Sequence, residues 1–310
     1  MLMNRIGKLL FTLALLCAAT AYSGQFADIT AGNGVKQPPA PSMGYAKGSE
    51  PQQPKPAEIK PVKWVYVRGG DFEMSPVSDS AFADSKPVRK IKIADFEMSQ
   101  TLVTVEQYKK CVDDGGCTEP EAKDTRCNWD KPGRERHPVN CVEWNQAALF
   151  AEYLAKQPDF TGARLPSESE WEYAARHGGK KQKYPWGDQD ATCKQAVMFD
   201  INIGKPGCGG ETTMPVCSKP DGNVVFGRDY LCDMAGNVFQ WVQDKYQKSY
   251  EKIPEDGTAF VESSDSAVKR VVRGGALHLQ KAQFLRADMR GSQDPAKRDY
   301  FVGFRLARAR

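Results

Sequence analysis

Residues Cys232 to Trp241, reading Cys-Asp-Met-Ala-Gly-Asn-Val-Phe-Gln-Trp, constrain the fold more than any other stretch. Neither the helical nor the strand period runs through them. Gly236-Asn237 is turn chemistry, because both residues tolerate a positive φ. Yet Met234, Val238, Phe239 and Trp241 crowd that turn with apolar bulk. A segment both turn-like and apolar is expected to be a buried loop, and a buried loop must pair its own backbone polar groups. Two devices meet that demand. Either a hard cation gathers the backbone carbonyls, with Asp233 and Gln240 adding side-chain oxygens, or the aromatic residues alone anchor the turn in the core.

The chain begins like an exported protein. Arg5 and Lys8 flank an apolar run from Leu9 to about Ala19 that is too short to span a bilayer. Ala19-Thr20-Ala21 and Ala21-Tyr22-Ser23 offer small residues for cleavage, so residues 1–23 read as a signal peptide and the product as periplasmic. Leu16 before Cys17 is larger than lipid-anchor processing accepts. No integral membrane segment is expected after cleavage, although association with a membrane stays open. Losing Arg5 and Lys8 takes the formal charge from +4 to +2, which points to neither nucleic acid nor an anionic membrane surface. Of nine cysteines, loss of Cys17 leaves eight, an even set that reads as disulfides in an oxidising compartment. Cys111 with Cys117 and Cys127 with Cys141 are the expected local pairs. No Cys-x-x-Cys occurs and the gaps are irregular, so zinc is not expected.

Residues 24–61 are rich in Pro, Gly, Gln and Lys and nearly devoid of bulky apolar side chains. Such a segment buries too little surface to offset its ordering entropy and reads as a flexible linker. A single domain over 62–310 follows. Trp64-Val-Tyr-Val67 followed by Gly69-Gly-Asp-Phe-Glu-Met74 suggests a hairpin with a Gly-Gly-Asp turn. Val88 to Phe96 suggests another strand. Thr104 and Gln107 form a capping box opening a short helix that Gly115-Gly116 ends. A second helix is predicted over about Val142 to Lys156, with Trp144, Ala147, Ala148, Ala151, Leu154 and Ala155 facing the core. Ser167 and Glu170 cap a third, whose buried stripe is Trp171, Ala174 and Ala175. Residues 177–230 are expected to be irregular and held by disulfides.

Four ordered blocks carry a family resemblance. Asp233-Met-Ala-Gly-Asn-Val-Phe-Gln-Trp241 is similar to the Asp-Met-x-Gly-Asn-x-Trp-Glu-Trp signature of the formylglycine-generating-enzyme (sulfatase-modifying factor) family. Arg164-Leu-Pro-Ser-Glu-Ser-Glu-Trp-Glu-Tyr-Ala-Ala-Arg176 with Tyr184-Pro-Trp-Gly187, Arg273-Gly-Gly275, and Val302-Gly-Phe-Arg305 resemble it too. The resemblance implies an α+β fold related to C-type lectins, irregular and disulfide-stapled. It also implies a structural calcium site at Asp233, Gly236, Val238 and Gln240. Gln240 stands where the family has Glu, so its amide oxygen brings no charge and the affinity should be weaker.

The resemblance further implies where chemistry would sit. Oxidising members carry two copper-binding cysteines after the Arg-x-Gly-Gly block, because soft thiolates hold copper(I). Here those positions fall at about Leu279 and Phe284, and Ala276 to Met289 contains no cysteine, which argues against formylglycine generation. Iron-dependent relatives use a histidine-rich companion domain, whereas this chain has only His137, His177 and His278. Copper and iron are therefore not expected. His278 lies just after Gly275 and is the one candidate catalytic residue, as a general base or a polar anchor, against a plain core-edge histidine. Arg286, Arg290 and Arg305 either line an anion groove or pair with carboxylates such as Asp288 and Asp299. No Gly-x-Ser-x-Gly elbow, Walker loop or His-Glu-x-x-His motif appears.

Two functional classes remain. One is a non-catalytic module engaging a periplasmic or membrane protein, resembling the family member that promotes activation of a membrane threonine kinase through its periplasmic part in type VI secretion. The other is a periplasmic maturation enzyme or oxidoreductase with non-cysteine chemistry. A polar pocket at His278 would mark the enzyme, and an apolar patch the binder.

Overall fold

Capping boxes and apolar stripes act over a few residues, and all three predicted helices form. The computed structural model describes residues 62–74, 77, 83–262 and 268–310; the expected signal peptide and linker lie outside them. Helix α1 spans Val105–Asp113. Thr104 Oγ1 accepts from Gln107 N at 3.3 Å, and Gln107 Oε1 accepts from Thr104 N at 3.0 Å. Helix α2 spans Trp144–Ala155 and buries Ala147, Phe150, Ala151 and Leu154. Trp144, Ala148 and Ala155 are only half-buried, because Trp144 turns to the helix edge, where its Nε1 donates to the Val242 carbonyl at 2.8 Å. Helix α3 spans Glu168–Ala175, its reciprocal Ser167–Glu170 bonds being 2.9 and 3.0 Å. Every residue of α3 is buried, well beyond the predicted stripe.

Strand pairing departs from expectation. Strands β1 (Trp64–Val67) and β2 (Gly70–Met74) do not form a hairpin. The predicted strand over Val88 to Phe96 is two, β3 (Arg89–Ile93) and β4 (Phe96–Ser99). β1 pairs with β4 and β2 with β3, both antiparallel. Both chain segments cross between sheets at Arg68-Gly69 and Ala94-Asp95. A Cβ on Gly69 would lie 2.2 Å from the Ile93 carbonyl oxygen, so only glycine permits this crossing. Asp95 locks it, accepting from Gly69 N at 2.9 Å and Tyr66 Oη at 2.7 Å.

Downstream come β5 (Val224–Phe226), β6 (Asp229–Leu231), β7 (Phe239–Lys245), β8 (Arg270–Arg273), β9 (Arg290–Gln293), β10 (Val302–Phe304) and β11 (Ala307–Ala309). β11 joins β4, completing a three-stranded sheet in the order β1-β4-β11. A four-stranded sheet runs β10-β7-β8-β9, parallel at β10/β7 and antiparallel elsewhere. β2-β3 and β5-β6 are separate ribbons. One core gathers Tyr108, Phe150, Phe304 and Trp241 between α1, α2 and the four-stranded sheet. A second packs Trp171 and Ala174 of α3 against Phe72, Met74, Phe96 and Val242. The result is a sheet-rich α+β fold with long ordered loops.

Four disulfides staple those loops: Cys111–Cys117, Cys127–Cys141, Cys193–Cys208 and Cys217–Cys232. The two expected local pairs are among them, and the 177–230 stretch holds three cysteines of the other two bridges. Thiol titration of the mature protein under denaturing, non-reducing conditions is expected to read no free thiol; several reactive thiols would contradict the pairing. Among the described residues, no helix is long and apolar enough to cross a membrane.

The polar side of α3 is buried against arginines. Arg290 grips Glu168 through Nε and Nη2 at 2.7 and 2.9 Å, and Arg273 Nη2 donates to Glu172. Arg286 pairs with Asp288 through Nε at 2.8 Å, as expected. Asp299 instead accepts from Gln293. Arg290 and Arg305 find neither Asp288 nor Asp299, because their partners lie on α3 and in the Cys232–Trp241 loop.

Asp244 closes this cluster, accepting from Glu168 N at 2.7 Å and Phe260 N at 2.9 Å. Burial, with the Glu168 charge beside it, pushes its carboxyl up to about 7. An unfolded aspartate titrates at ~3.9, so folding takes up a proton between these values. Stability from this group therefore falls as pH rises from about 4 to about 7. His137 works in the opposite sense: burial, then the Arg134 charge, pulls it down to about 4, so its contribution grows as pH rises to ~6.5. Asp244→Asn is expected to remove only the falling component. Urea midpoints across that window, mutant against wild type, read the difference; parallel curves would refute it.

Candidate binding site

The Cys232–Trp241 stretch is the buried loop its composition demands. Asp233, Gly236 and Asn237 have φ of 52°, 79° and 64°. A Cβ on Gly236 would lie 2.6 Å from the Val197 carbonyl oxygen. Asn237, fully buried, makes two bonds to the Met214 backbone, each 3.1 Å. Trp241 Nε1 donates to the Val142 carbonyl at 3.0 Å.

The four expected calcium ligands, Asp233, Gly236, Val238 and Gln240, fall in this loop, and the side chains of Asp233 and Gln240 already have hydrogen-bond partners in the chain. The Asp233 carboxylate accepts from Cys217 N at 2.8 Å and contacts Asn237 Nδ2 at 3.5 Å. Burial raises its pKa against the pull of the Cys217 N–H and the Arg305 charge. Gln240 Oε1 accepts from Trp171 Nε1 at 2.8 Å and Arg305 Nε at 2.6 Å. That oxygen is saturated by two donors, one of them cationic, so Gln240 does not fit as a calcium ligand. Sequence reasoning placed Arg305 on a carboxylate and could not place it here, 65 residues away from Gln240 along the chain.

From β8, Gly274-Gly275 turns the chain into the segment where the copper pair was sought. A Cβ on Gly275 would lie 2.7 Å from the Phe284 carbonyl oxygen and 3.2 Å from Leu279 Cδ1. The fold thus brings the Leu279 side chain and the Phe284 backbone to one glycine, and neither residue carries a metal-binding side chain. Leu279 packs with Tyr184, Ala191 and Met198. Its carbonyl accepts from Phe199 N at 3.2 Å.

His278 is half-buried beside Phe301 and Tyr300, at 4.8 and 6.0 Å between ring centroids. Its Nδ1 is buried without a hydrogen-bond partner. Arg126, held by Asp124, stacks on Tyr300 at 3.8 Å. Burial first, then the Arg126 charge, lowers the His278 pKa. A neutral imidazole with no carboxylate bonded to its buried nitrogen is a weak general base. Among the described residues, no three His, Cys, Asp or Glu side chains converge as a metal site.

Next to this segment is a cavity of about 500 Å³ between Gln280 and Ala282 on one side and Asp190, Cys193, Phe199 and Ile201 on the other. Above it projects the turn Asp200–Lys205. Asp200 Oδ1 accepts from Asn202 N and Ile203 N at 2.9 and 3.3 Å, and the Asp200 carbonyl accepts from Gly204 N at 2.7 Å. Lys205 pairs with Glu211, and Cys193–Cys208 closes the base. This braced turn exposes Ile201 by 77% and Ile203 by 58%. Large exposed apolar residues elsewhere in the described chain are scattered singly, which needs no explanation, whereas two on one rigid turn beside a cavity form a contact patch. Asp200-Ile-Asn-Ile-Gly204, an apolar pair inside turn chemistry, was the available signal.

Residues 50–310 match the sulfatase-modifying factor enzyme 1-like domain family. The serine/threonine-protein kinase pkn1 of Chlamydia pneumoniae is 29% identical over 273 residues, 84% of this chain but 40% of that protein. The chain therefore spans less than half of that kinase. Formylglycine-generating enzyme of Streptomyces coelicolor is 28% identical over 293 residues, 78% of this chain and 88% of that protein. The solved structure of PvdO from Pseudomonas aeruginosa superposes with a TM-score of 0.64 and 25% identity, covering 80% of this chain and 94% of that one.

Proposed function

The chain belongs to the sulfatase-modifying factor enzyme 1-like domain family, and we propose that within it this protein is an exported, non-catalytic module that binds a protein partner. One observation carries the reading: where copper-dependent relatives need two thiolates this chain has Leu279 and Phe284, and the following residues Gln280 and Ala282 border a cavity shared with the exposed Ile201 of the Asp200–Lys205 turn. All eight described cysteines are committed to disulfides elsewhere. The match to a serine/threonine-protein kinase supports a kinase-linked partner, such as the periplasmic part of a membrane kinase in a type VI secretion system. The kinase's own activity is not carried over, since the chain spans 40% of it.

The alternative, a maturation enzyme of non-cysteine chemistry, is favoured by the likeness to PvdO. Cross-linking the tagged mature chain in intact cells of its source separates the two. Recovery of a kinase ectodomain or a secretion component supports the module. Recovery of a biosynthetic enzyme alone, with His278→Ala abolishing production of a small-molecule product, would overturn it.

A further inference from the structure

We propose that the Cys232–Trp241 loop is held shut by two groups of the chain itself, the Gln240 amide and the Arg305 guanidinium, in place of a bound cation, and that Gln240 is what makes the loop cation-independent. The orientation of the Gln240 amide follows from its partners. Trp171 Nε1 and Arg305 Nε can only donate, so the group they both meet at 2.8 and 2.6 Å must be the amide oxygen. The NH2 then faces the loop and donates to the Asp233 carbonyl at 2.8 Å. A cation needs a lone pair at that point and finds N–H hydrogens.

Arg305 gathers the adjacent carbonyls. Its Nη2 donates to the Cys232 carbonyl at 2.5 Å and its Nη1 to the Ser99 carbonyl at 3.0 Å. Gln240 and Arg305 are both fully buried, so water does not compete for these bonds. The space around the amide is closed on the far side by Gly274, where an added Cβ would come within 2.9 Å of Gln240 Nε2 and 3.2 Å of the Met234 carbonyl oxygen. The Asp233 and Cys232 carbonyls at the start of the loop are thus met by N–H groups of the chain itself.

A carboxylate at position 240 changes this balance. One oxygen would keep Trp171 and Arg305, while the other would face the Asp233 carbonyl oxygen, acceptor against acceptor. A divalent cation between them relieves that repulsion. Gln240→Glu is therefore expected to create a calcium requirement that the natural chain lacks.

The test uses the full mature chain with its disulfides intact and calcium chloride as the probe. Thermal unfolding of the wild type is expected to give the same Tm in calcium and in EGTA, with no heat of binding at millimolar calcium. Gln240→Glu should melt lower in EGTA and gain roughly 5 °C when calcium is ~100-fold above its Kd. A wild-type Tm that rises equally with calcium overturns the proposal, as does a folded Gln240→Glu that ignores calcium. Should the variant fold in neither buffer, wild-type calorimetry decides: flat titration supports the proposal, and saturable heat overturns it.

Discussion

Arg273→Ala is expected to destabilise the domain by about 3–5 kcal/mol, because it takes one of two cations from a buried carboxylate and unties two buried carbonyls. Arg273 is fully buried, donates from Nη2 to Glu172, and ties the Met289 and Ala287 carbonyls at 2.8 and 3.0 Å. Glu172 is also fully buried; Tyr250 Oη at 3.2 Å is a neutral partner, and Arg176 Nη1, 3.2 Å from its other oxygen, is the one cation that would remain beside it. The attraction within the pair does not set the size of the effect; the desolvation of the charge left behind does. Arg273→Lys should therefore recover part of the loss, since it keeps a cation beside Glu172. Urea unfolding at neutral pH measures each value. A single-variant cost below ~1 kcal/mol, the range of an exposed pair, would show that water reaches this cluster.

Ile201→Asp with Ile203→Asp is expected to weaken capture of the protein partner about 30-fold or more while leaving the fold intact. Apolar anchors at an interface centre cost about 2 kcal/mol or more when removed, and 1.4 kcal/mol is roughly tenfold in affinity. Both side chains project from a turn braced by Asp200 and the Cys193–Cys208 bridge, so little ordering cost is incurred on binding. Substitutions at such exposed positions change stability by about 0.5 kcal/mol or less. Cross-link yield in cells, set beside the melting temperature of the purified variant, reads both effects. Undiminished capture with an unchanged Tm would move the contact surface elsewhere.

Much of the fold was legible where the signal is local. The Thr104–Gln107 and Ser167–Glu170 boxes named two helix starts, since a cap bond joins residues three apart. Cys111–Cys117 and Cys127–Cys141 were legible because short loops keep their ends close. The β1–β2 hairpin was misread: Gly69-Gly70 satisfies turn statistics, but the glycine serves a crossing that brings its backbone against Ile93. Phe150 on α2 was missed because alanines dominate the visible stripe.

At the candidate site the same division holds. The absence of thiols over Ala276–Met289 could be read directly, and so could the contradiction between turn chemistry and apolar bulk in Cys232–Trp241. What resolves that contradiction could not. Gln240 meets Trp171 and Arg305 across 69 and 65 residues, and no periodicity encodes which donor reaches a given oxygen. The Ile201–Ile203 patch likewise became a candidate only when the fold set Gln280 and Ala282 across a cavity from Ile201. Sequence alone determined the family, the three helices, the oxidised cysteine set and the need for a buried, internally satisfied loop, because each follows from residues near one another or from composition. Tertiary structure decided strand partners, the group that closes the loop and the exposed face, because hydrogen bonding and burial depend on distances that only the folded chain sets.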